Sequence, residues 1–484
     1  MGKRLDQSKA PYWDAVLNYI NKDRTAFHMP GHARGRTAPS ELLSFFGENL
    51  FLADLTEVEG LDYLHKPEGV IKEAQEIAAD AFGADQSFFL VNGSTVGVVC
   101  MMLSAVKPKE KIILQRNTHR SAIAGLTLGE IEPIFIQSRF QPELNMMTGI
   151  TPDDLEEAIM MHPDAKAVLL TCPNYFGMSE NTSELIRIAH ENDMIALVDE
   201  AHGVHLHFHP DIPMSAVDLR ADMVVQSMHK TMPSFTQTSI LHLNGNSINP
   251  KRVQTLLTYL QTSSPSYLFM VSIDAARRQF ALHGKEMIDK AIETADKARA
   301  RIKKFKKLYS FRDDIIDDLT ICSFDPTKLT ICVKNAGYMG YECEPILNQK
   351  FNVEIELADL NNILCFITAG NTDQDIDHLI EALQYFDDNP RPVVNRDIVK
   401  LPKIPNTILF PSETFALDPV SVDFESADGE IAYEVIAPYP PGIAYTVPGE
   451  IITQEVVELV TELKSKGSFV QGISPDNKVK IVKY

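Results

Sequence analysis

Between about residue 70 and residue 243, short apolar runs alternate with stretches of helical spacing. Residues 87–91, 111–114, 133–136, 167–171, 195–198 and 223–226 are apolar runs of strand length, as expected for strands buried on both faces. Residues 71–82, 153–161 and 182–192 repeat apolar positions every three or four residues, the period of one helix face. Strand and helix in alternation predict an α/β fold with a largely parallel sheet covered on both sides. Ligands of such sheets sit at the carboxyl ends of the strands. The polar residues just past the runs are therefore the ones to read for chemistry: Asn92 to Thr95, His119 to Ser121, Asn174, Asp199 to His202, and Ser227 to Lys230.

The flanks read differently. Residues 12–20 fit one helix, followed by a turn-rich stretch from 28 to 35 with Pro30, Gly31 and Gly35. A long basic helix is expected over 285–308, then strands over 319–333, 352–356 and 363–368, and a closing helix over 373–386, which together make a small α+β domain. Residues 387–405, rich in Pro, Asn and Asp, read as a linker. The tail from 409 carries Pro438, Pro440, Pro441, Gly442, Pro448 and Gly449 and reads as a third small unit. A chain of 484 residues is too long for one ordinary core. The expected division is an arm over 1–35, a large domain over 36–284, a small domain over 285–390 and a C-terminal domain over 391–484.

Charge narrows the partners. With 45 Lys+Arg against 66 Asp+Glu, the net charge is -21. That argues against nucleic acid, whose phosphates call for a basic footprint. It suits a cationic small molecule, although solubility alone accounts for it. Six scattered cysteines form no Cys-x-x-Cys pair, so buried free thiols in a reducing compartment are expected and no zinc site is indicated. The first ten residues hold no apolar leader core, and no apolar stretch reaches the ~18 residues of a membrane span. The expectation is a soluble cytoplasmic protein without membrane or nucleic-acid partners.

Each strand end has a plain reading and a chemical one. Lys230 follows Ser227, Met228 and His229 with no other charge nearby. A solvated lysine is the plain reading, and an amine presented to an aldehyde is the chemical one. Asp199 closes a buried run, where a carboxylate is costly unless paired. A protonated pyridine nitrogen is one partner, because an Asp there keeps the ring an electron sink. A structural or metal-binding carboxylate is the other reading. His205, His207 and His209 alternate downstream and would share a strand face, but Pro210 follows and no second ligand cluster is evident. Asn92-Gly93-Ser94-Thr95 opens a helix, so it is either an anion cradle or an ordinary N-cap. It is neither a Walker loop nor a GxGxxG loop. His119 is either a ring that stacks on a flat cofactor or a structural histidine.

Together these make an ordered set: a cradle, a candidate stacking ring, an Asp at a strand end, and a Lys 31 positions on (230 − 199). This order and spacing resembles the aspartate-aminotransferase-like fold, fold type I of the pyridoxal 5'-phosphate enzymes. The segment Phe27-His28-Met29-Pro30-Gly31-His32 is similar to the opening of the bacterial Orn/Lys/Arg decarboxylases. Leu61-Asp62-Tyr63-Leu64-His65, Asp199-Glu200-Ala201-His202-Gly203, Ser227-Met228-His229-Lys230, Thr262-Ser263-Ser264-Pro265-Ser266-Tyr267, Pro438-Tyr439-Pro440-Pro441-Gly442 and Pro448-Gly449-Glu450 continue the likeness over nearly the whole chain. It looks closest to the shorter Gram-positive type, which includes biosynthetic arginine decarboxylases and lysine-decarboxylase-like proteins and lacks the N-terminal wing domain. The family often has a second Asp where this chain has Tyr63.

By that resemblance, Lys230 would be the Schiff-base lysine, Asp199 the partner of the pyridine nitrogen, and His119 the stacking ring. Ser94, Thr95, Ser227 and His229 would hold the phosphate or order its surroundings. His202 would lie at the ring edge. The segment with Ser264 would reach the phosphate of a neighbouring subunit, so the resemblance implies a homodimer or larger homo-oligomer. The implied reaction is loss of CO2 from arginine or lysine, with arginine favoured, supplying polyamine precursors. Two acidic stretches, one with Asp54, Glu57, Glu59 and Asp62 and one with Glu356 and Asp359, are candidates for the cationic end of the substrate, although surface solvation suits most of them. An aminotransferase or aldolase of the same fold is the alternative within enzymes. It would call for an Arg clamp on the carboxylate, and Arg277 and Arg278 read as ordinary helix-surface residues. A catalytically silent regulatory relative is the alternative outside enzymes, against which the intact Lys230, Asp199 and His119 argue.

Overall fold

A computed structural model describes residues 4–22, 24–393, 401–439 and 442–483. Seven strands make the main sheet: β1 Gln86–Leu90, β2 Lys111–Gln115, β3 Glu132–Ile136, β4 Ala167–Thr171, β5 Ile195–Asp199, β6 Met223–Gln226 and β7 Ser239–Leu243. Within one unit their order is β1-β7-β6-β5 and within the other β4-β2-β3. The chain forms two compact units. One comprises Met1–Ser104, Leu197–Pro210 and Met214–Lys285, and the other Ala105–Ala196, Asp211–Pro213 and Glu286–Tyr484.

In the first unit β5 and β6 run parallel, with Asp199 opposite Val225. β7 is antiparallel to both β6 and β1. β7 is the strand that periodicity misses. It contains His242 among apolar residues, and it returns from Lys230 through a turn. The helix Val70–Phe82 is started by the Asp62 carboxylate, which accepts N–H bonds from Tyr63, Glu68, Gly69 and Ile71 at 2.8–3.1 Å. It stops at Gly83 in the left-handed conformation.

In the second unit β4, β2 and β3 are all parallel, and Ile112 to Leu114 are wholly buried. The helix Pro152–Met161 opens on a Thr151/Asp154 capping box with Pro at its start, and Thr182–Glu191 on an Asn181 cap. Further along, Lys328–Cys332, Asn362–Phe366 and Leu357–Ala358 form an antiparallel sheet. The helices Gly340–Phe351 and Asp373–Asp388 cover it over a core that includes Leu329, Ile331, Leu347, Ile363, Leu383 and Phe386. Residues 401–483 add the strands Val420–Asp423, Ile431–Ala432 and Lys478–Val482 and the helix Gln454–Ser465, with their own core around Phe424, Val456, Val460 and Ile481.

Three expectations need correction. The long helix spans Tyr267–Ile302, starting well before residue 285, because its first turns are apolar and buried rather than basic. Residues 352–356 are not a strand. Asn352 takes the left-handed conformation that ends the helix before it, and the strand is Leu357–Ala358. His205, His207 and His209 do not share a strand face, since the chain there turns through the short 3-10 helix Leu206–Phe208. No cluster of three metal-ligating side chains occurs among the described residues. Nor, among them, is any helix long and apolar enough to cross a membrane. Of the six cysteines, three are buried and three half-buried. The expected linker includes residues 394–400, and the proline-rich tail motif includes 440 and 441, which lie outside the described residues.

Candidate active site

Parallel pairing brings the ends of β5 and β6 side by side, so Asp199 and the segment leading to Lys230 leave the sheet at one edge. Asp199 is buried and its carboxylate accepts the Ala201 N–H at 3.1 Å. Lys230 is half-buried on a single helical turn, Met228–Thr231. Its Nζ lies 2.7 Å from Nε2 of the buried His202. The imidazole nitrogen accepts from the amine, which aims the amine and fixes the ring. His229 turns the other way, its Nδ1 donating to the Thr238 carbonyl at 2.8 Å. Burial holds its pKa below the usual histidine value.

The anion cradle is a cluster of hydroxyls at a helix start. Ser94 opens the helix Gly93–Ala105, and its Oγ lies 2.7 Å from Ser227 Oγ and 2.9 Å from Ser239 Oγ. Gly93 has φ +74, and a side chain there would meet nothing within 4 Å, so the helix start is open. Ser239 was not singled out by the sequence, because it stands inside an apolar run on the strand that was missed. Thr95 is exposed. Ser264 is exposed too, bonded to Thr262, whose N–H donates to Asn92 at 3.2 Å. Tyr267 is wholly buried, its hydroxyl donating to the Asp62 carbonyl at 2.9 Å, and the 262–264 stretch of its segment is exposed.

His119 belongs to the second unit. It caps the helix Arg120–Gly129, with Nδ1 accepting the Ser121 N–H at 3.2 Å and lying 2.8 Å from Ser121 Oγ. The cap fixes the tautomer and leaves the ring exposed. Arg116, just upstream, is buried. It donates to Glu450 through both terminal nitrogens, at 2.7 and 2.6 Å, and to the carbonyls of Ala444 and Tyr445. This ties the His119 loop to the tail. Pro448-Gly449-Glu450 carries the other half of the tie, and Gly449 is required there: at φ +90, a Cβ would lie 1.9 Å from the Leu409 carbonyl oxygen.

Other candidates are committed elsewhere. Arg277 is not on the helix surface: it is fully buried, bonded to Asp274 at 2.6 Å and to the carbonyls of Gln7 and Lys9. Asp274 in turn accepts the Tyr12 N–H at 2.9 Å, so this pair fastens the arm rather than a substrate carboxylate. Asp62 is occupied by its four backbone N–H groups. Asp359, one of the acidic candidates for the cationic end of the substrate, is buried and bonded to Asn361 and Asn362, and burial raises its pKa to about 6.

An amine aimed by an imidazole, a carboxylate at the adjoining strand end, and hydroxyls at an open helix start are groups that a pyridoxal-phosphate site of fold type I calls for. These residues fit that cofactor: the lysine for its aldehyde, Asp199 for its ring nitrogen and the Ser94 cluster for its phosphate. The chain belongs to the Orn/Lys/Arg decarboxylase family, carboxy-lyases that depend on pyridoxal phosphate. The Orn/Lys/Arg decarboxylase major domain matches residues 10–375 and the C-terminal domain of the same family residues 413–475. The chain is 40% identical over 473 residues to an arginine decarboxylase of Halalkalibacterium halodurans, covering 97% of this chain and 96% of that protein. It is 37% identical over 474 residues to an arginine decarboxylase of Bacillus subtilis, with the same coverage. In fold it is similar to the constitutive lysine decarboxylase of E. coli, with a TM-score of 0.85 at 20% identity, over 99% of this chain and 82% of that one.

Proposed function

We propose that this protein decarboxylates arginine, releasing CO2 and agmatine for polyamine synthesis in the cytoplasm. The observation that carries the substrate is the gradient of identity. It is 37–40% to arginine decarboxylases over nearly the full chain, against 23–24% to lysine and ornithine decarboxylases of E. coli.

The residue roles are assigned by the family resemblance, and the geometry supports them. Lys230 would hold the cofactor through its amine. Bound pyridoxal phosphate supplies an electron sink for the pair left when CO2 departs. Asp199 would keep the ring nitrogen protonated. By the resemblance, His119 would be the stacking ring, its own orientation set by Ser121. Ser94, Ser227, Ser239 and the helix start hold the phosphate, with Thr95 and His229 ordering its surroundings. The Cα–carboxylate bond has to stand perpendicular to the ring for the electron pair to overlap it, so rigid placement selects the reaction. A proton then returns to Cα from Lys230 or His202, which already share a hydrogen bond. Exposed Ser264 is read as reaching the phosphate of a second copy in a homodimer. Phe27, Phe45 and Phe46, all exposed, suit burial in such an interface. The division at residues 35, 284 and 390 into arm, large, small and C-terminal domains is retained as part of this reading.

The test is an absorbance spectrum with an amine-product assay. Wild-type protein should show the visible band of lysine-bound cofactor and form agmatine from arginine, and Lys230→Ala should lose both. Cadaverine from lysine alone would replace the substrate but keep the chemistry. A band without CO2 release from arginine, lysine or ornithine would refute the decarboxylase reading.

A further inference from the structure

Behind the two strand ends runs a chain of buried polar groups that the roles above leave unused. Glu200, next to Asp199, is 1% exposed, and Gln226, the last residue of β6, is wholly buried. The Glu200 carboxylate accepts the Ala216 N–H at 2.7 Å, the Ser215 hydroxyl at 2.7 Å, and the Gln226 amide N–H. With its nitrogen turned to Glu200, the Gln226 amide presents its oxygen to His242 Nε2 at 3.1 Å, so that nitrogen carries the proton. His242 Nδ1 is then the acceptor for the Ser87 hydroxyl at 2.8 Å. Every link has one direction, and burial keeps the imidazole neutral, its pKa pushed down to about 3. Burial also holds the Glu200 carboxyl up at about 8. The charged and titratable groups around the chain are Asp199 next to Glu200, Asp218 facing it, and His207, which is bonded to Asp218 at 2.8 Å.

Buried polar groups are costly, and apolar residues would fill these sheet positions at less cost. A fully bonded buried network instead imposes one arrangement. Its location is informative: it joins the residue after Asp199 to the residue that precedes the Ser227–Lys230 turn, and Glu200 N–H continues the ladder by donating to the Val225 carbonyl at 3.0 Å. We propose that Glu200 is a positioning residue: the bonds from Ser87 through His242 and Gln226 to Glu200 and Ser215 fix the ends of β5 and β6, and with them the placement of Asp199 against Lys230. The inference rests on the cofactor reading of those two residues.

Above about pH 8, where Glu200 is a carboxylate, Glu200→Gln keeps the size but presents an amide, with one acceptor oxygen, to three donors, so at least one bond is lost. Displacing a reacting group by about 1 Å costs on the order of 10²-fold in rate. Glu200→Gln should therefore bind pyridoxal phosphate at least about tenfold more weakly and lower kcat roughly 10- to 100-fold. KM for arginine should stay within about threefold, because no substrate contact is removed. The visible band should also shift its pH midpoint. Ser87→Ala, at the far end, should give smaller changes of the same sign, and it carries the test alone if Glu200→Gln does not fold. Wild-type cofactor affinity, kcat and pH midpoint in the folded variants, with only a lowered melting temperature, would overturn the proposal. Lys230→Ala separates the two ideas: a band that survives it sinks the cofactor reading, and a band that it abolishes leaves Glu200 to be judged on its own results.

Discussion

Replacing Glu450 by Gln tests how the tail holds the His119 loop. Arg116 and Glu450 are 3% and 0% exposed, and they meet through two parallel bonds at 2.7 and 2.6 Å. Glu450 also accepts the Val447 N–H at 2.9 Å, and Arg116 also donates to the Ala444 and Tyr445 carbonyls. The amide has nearly the shape of the carboxylate but no charge. It leaves a guanidinium buried without a counter-charge, and such a loss costs about 3–5 kcal/mol. In a chain of several cores that cost need not appear as one global transition. It should appear as local opening, read by hydrogen exchange of the 444–450 segment. At about 1.4 kcal/mol per tenfold, protection there should fall by roughly two to four orders of magnitude. Arg116→Met should cost a similar amount, since it strands the carboxylate instead. The double variant should cost clearly less than the sum, because neither charge is then left alone. Activity should fall with protection, since Arg116, Asn117 and Thr118 lead directly into His119. Exchange within about threefold of wild type in Glu450→Gln, or strict additivity in the double variant, would refute the reasoning.

Two further outcomes follow from buried carboxyls and caps. Glu180 is wholly enclosed, with Gln115 donating to both its oxygens at 2.7 and 2.8 Å, and burial raises its pKa to about 8. The folded protein keeps that proton between pH 4.5 and 8 while the unfolded chain releases it, so stability falls as pH rises through this window, by on the order of 1 kcal/mol per pH unit. Glu200 acts in the same direction over the same window. Glu180→Gln should flatten the dependence of the melting midpoint on pH between 5 and 8, and an unchanged slope would show that Glu180 titrates normally. Asp62→Ala removes the acceptor of four backbone N–H groups at the start of the helix Val70–Phe82, and should cost about 1–2 kcal/mol in urea unfolding. A loss below about 0.3 kcal/mol would mean that water satisfies those groups equally well.

The chain itself declares much of the fold and the reacting set. Six of the seven main strands are legible because a strand buried on both faces must be a short continuous apolar run, and the helices between them repeat every three or four residues. Lys230, Asp199, His202 and Ser94 stand out because polar residues directly after such runs lie at a strand end, wherever the strand sits in the sheet. What the chain does not declare depends on partners remote in sequence. β7 hides because it carries His242 inside, a residue acceptable there only once Gln226 and Ser87 flank it. Arg277 reads as a surface charge until Asp274 and the carbonyls of the arm surround it. Asp62 reads as an acidic surface residue until the turn that it closes is seen. Arg116 and Glu450 are far apart in the chain and carry no joint periodicity, so only folding pairs them. Local patterning fixes what each segment is, since burial and backbone bonding act over neighbouring residues. Which buried polar group answers which is decided by tertiary packing, because a hydrogen bond depends on distance in space and not on separation along the chain.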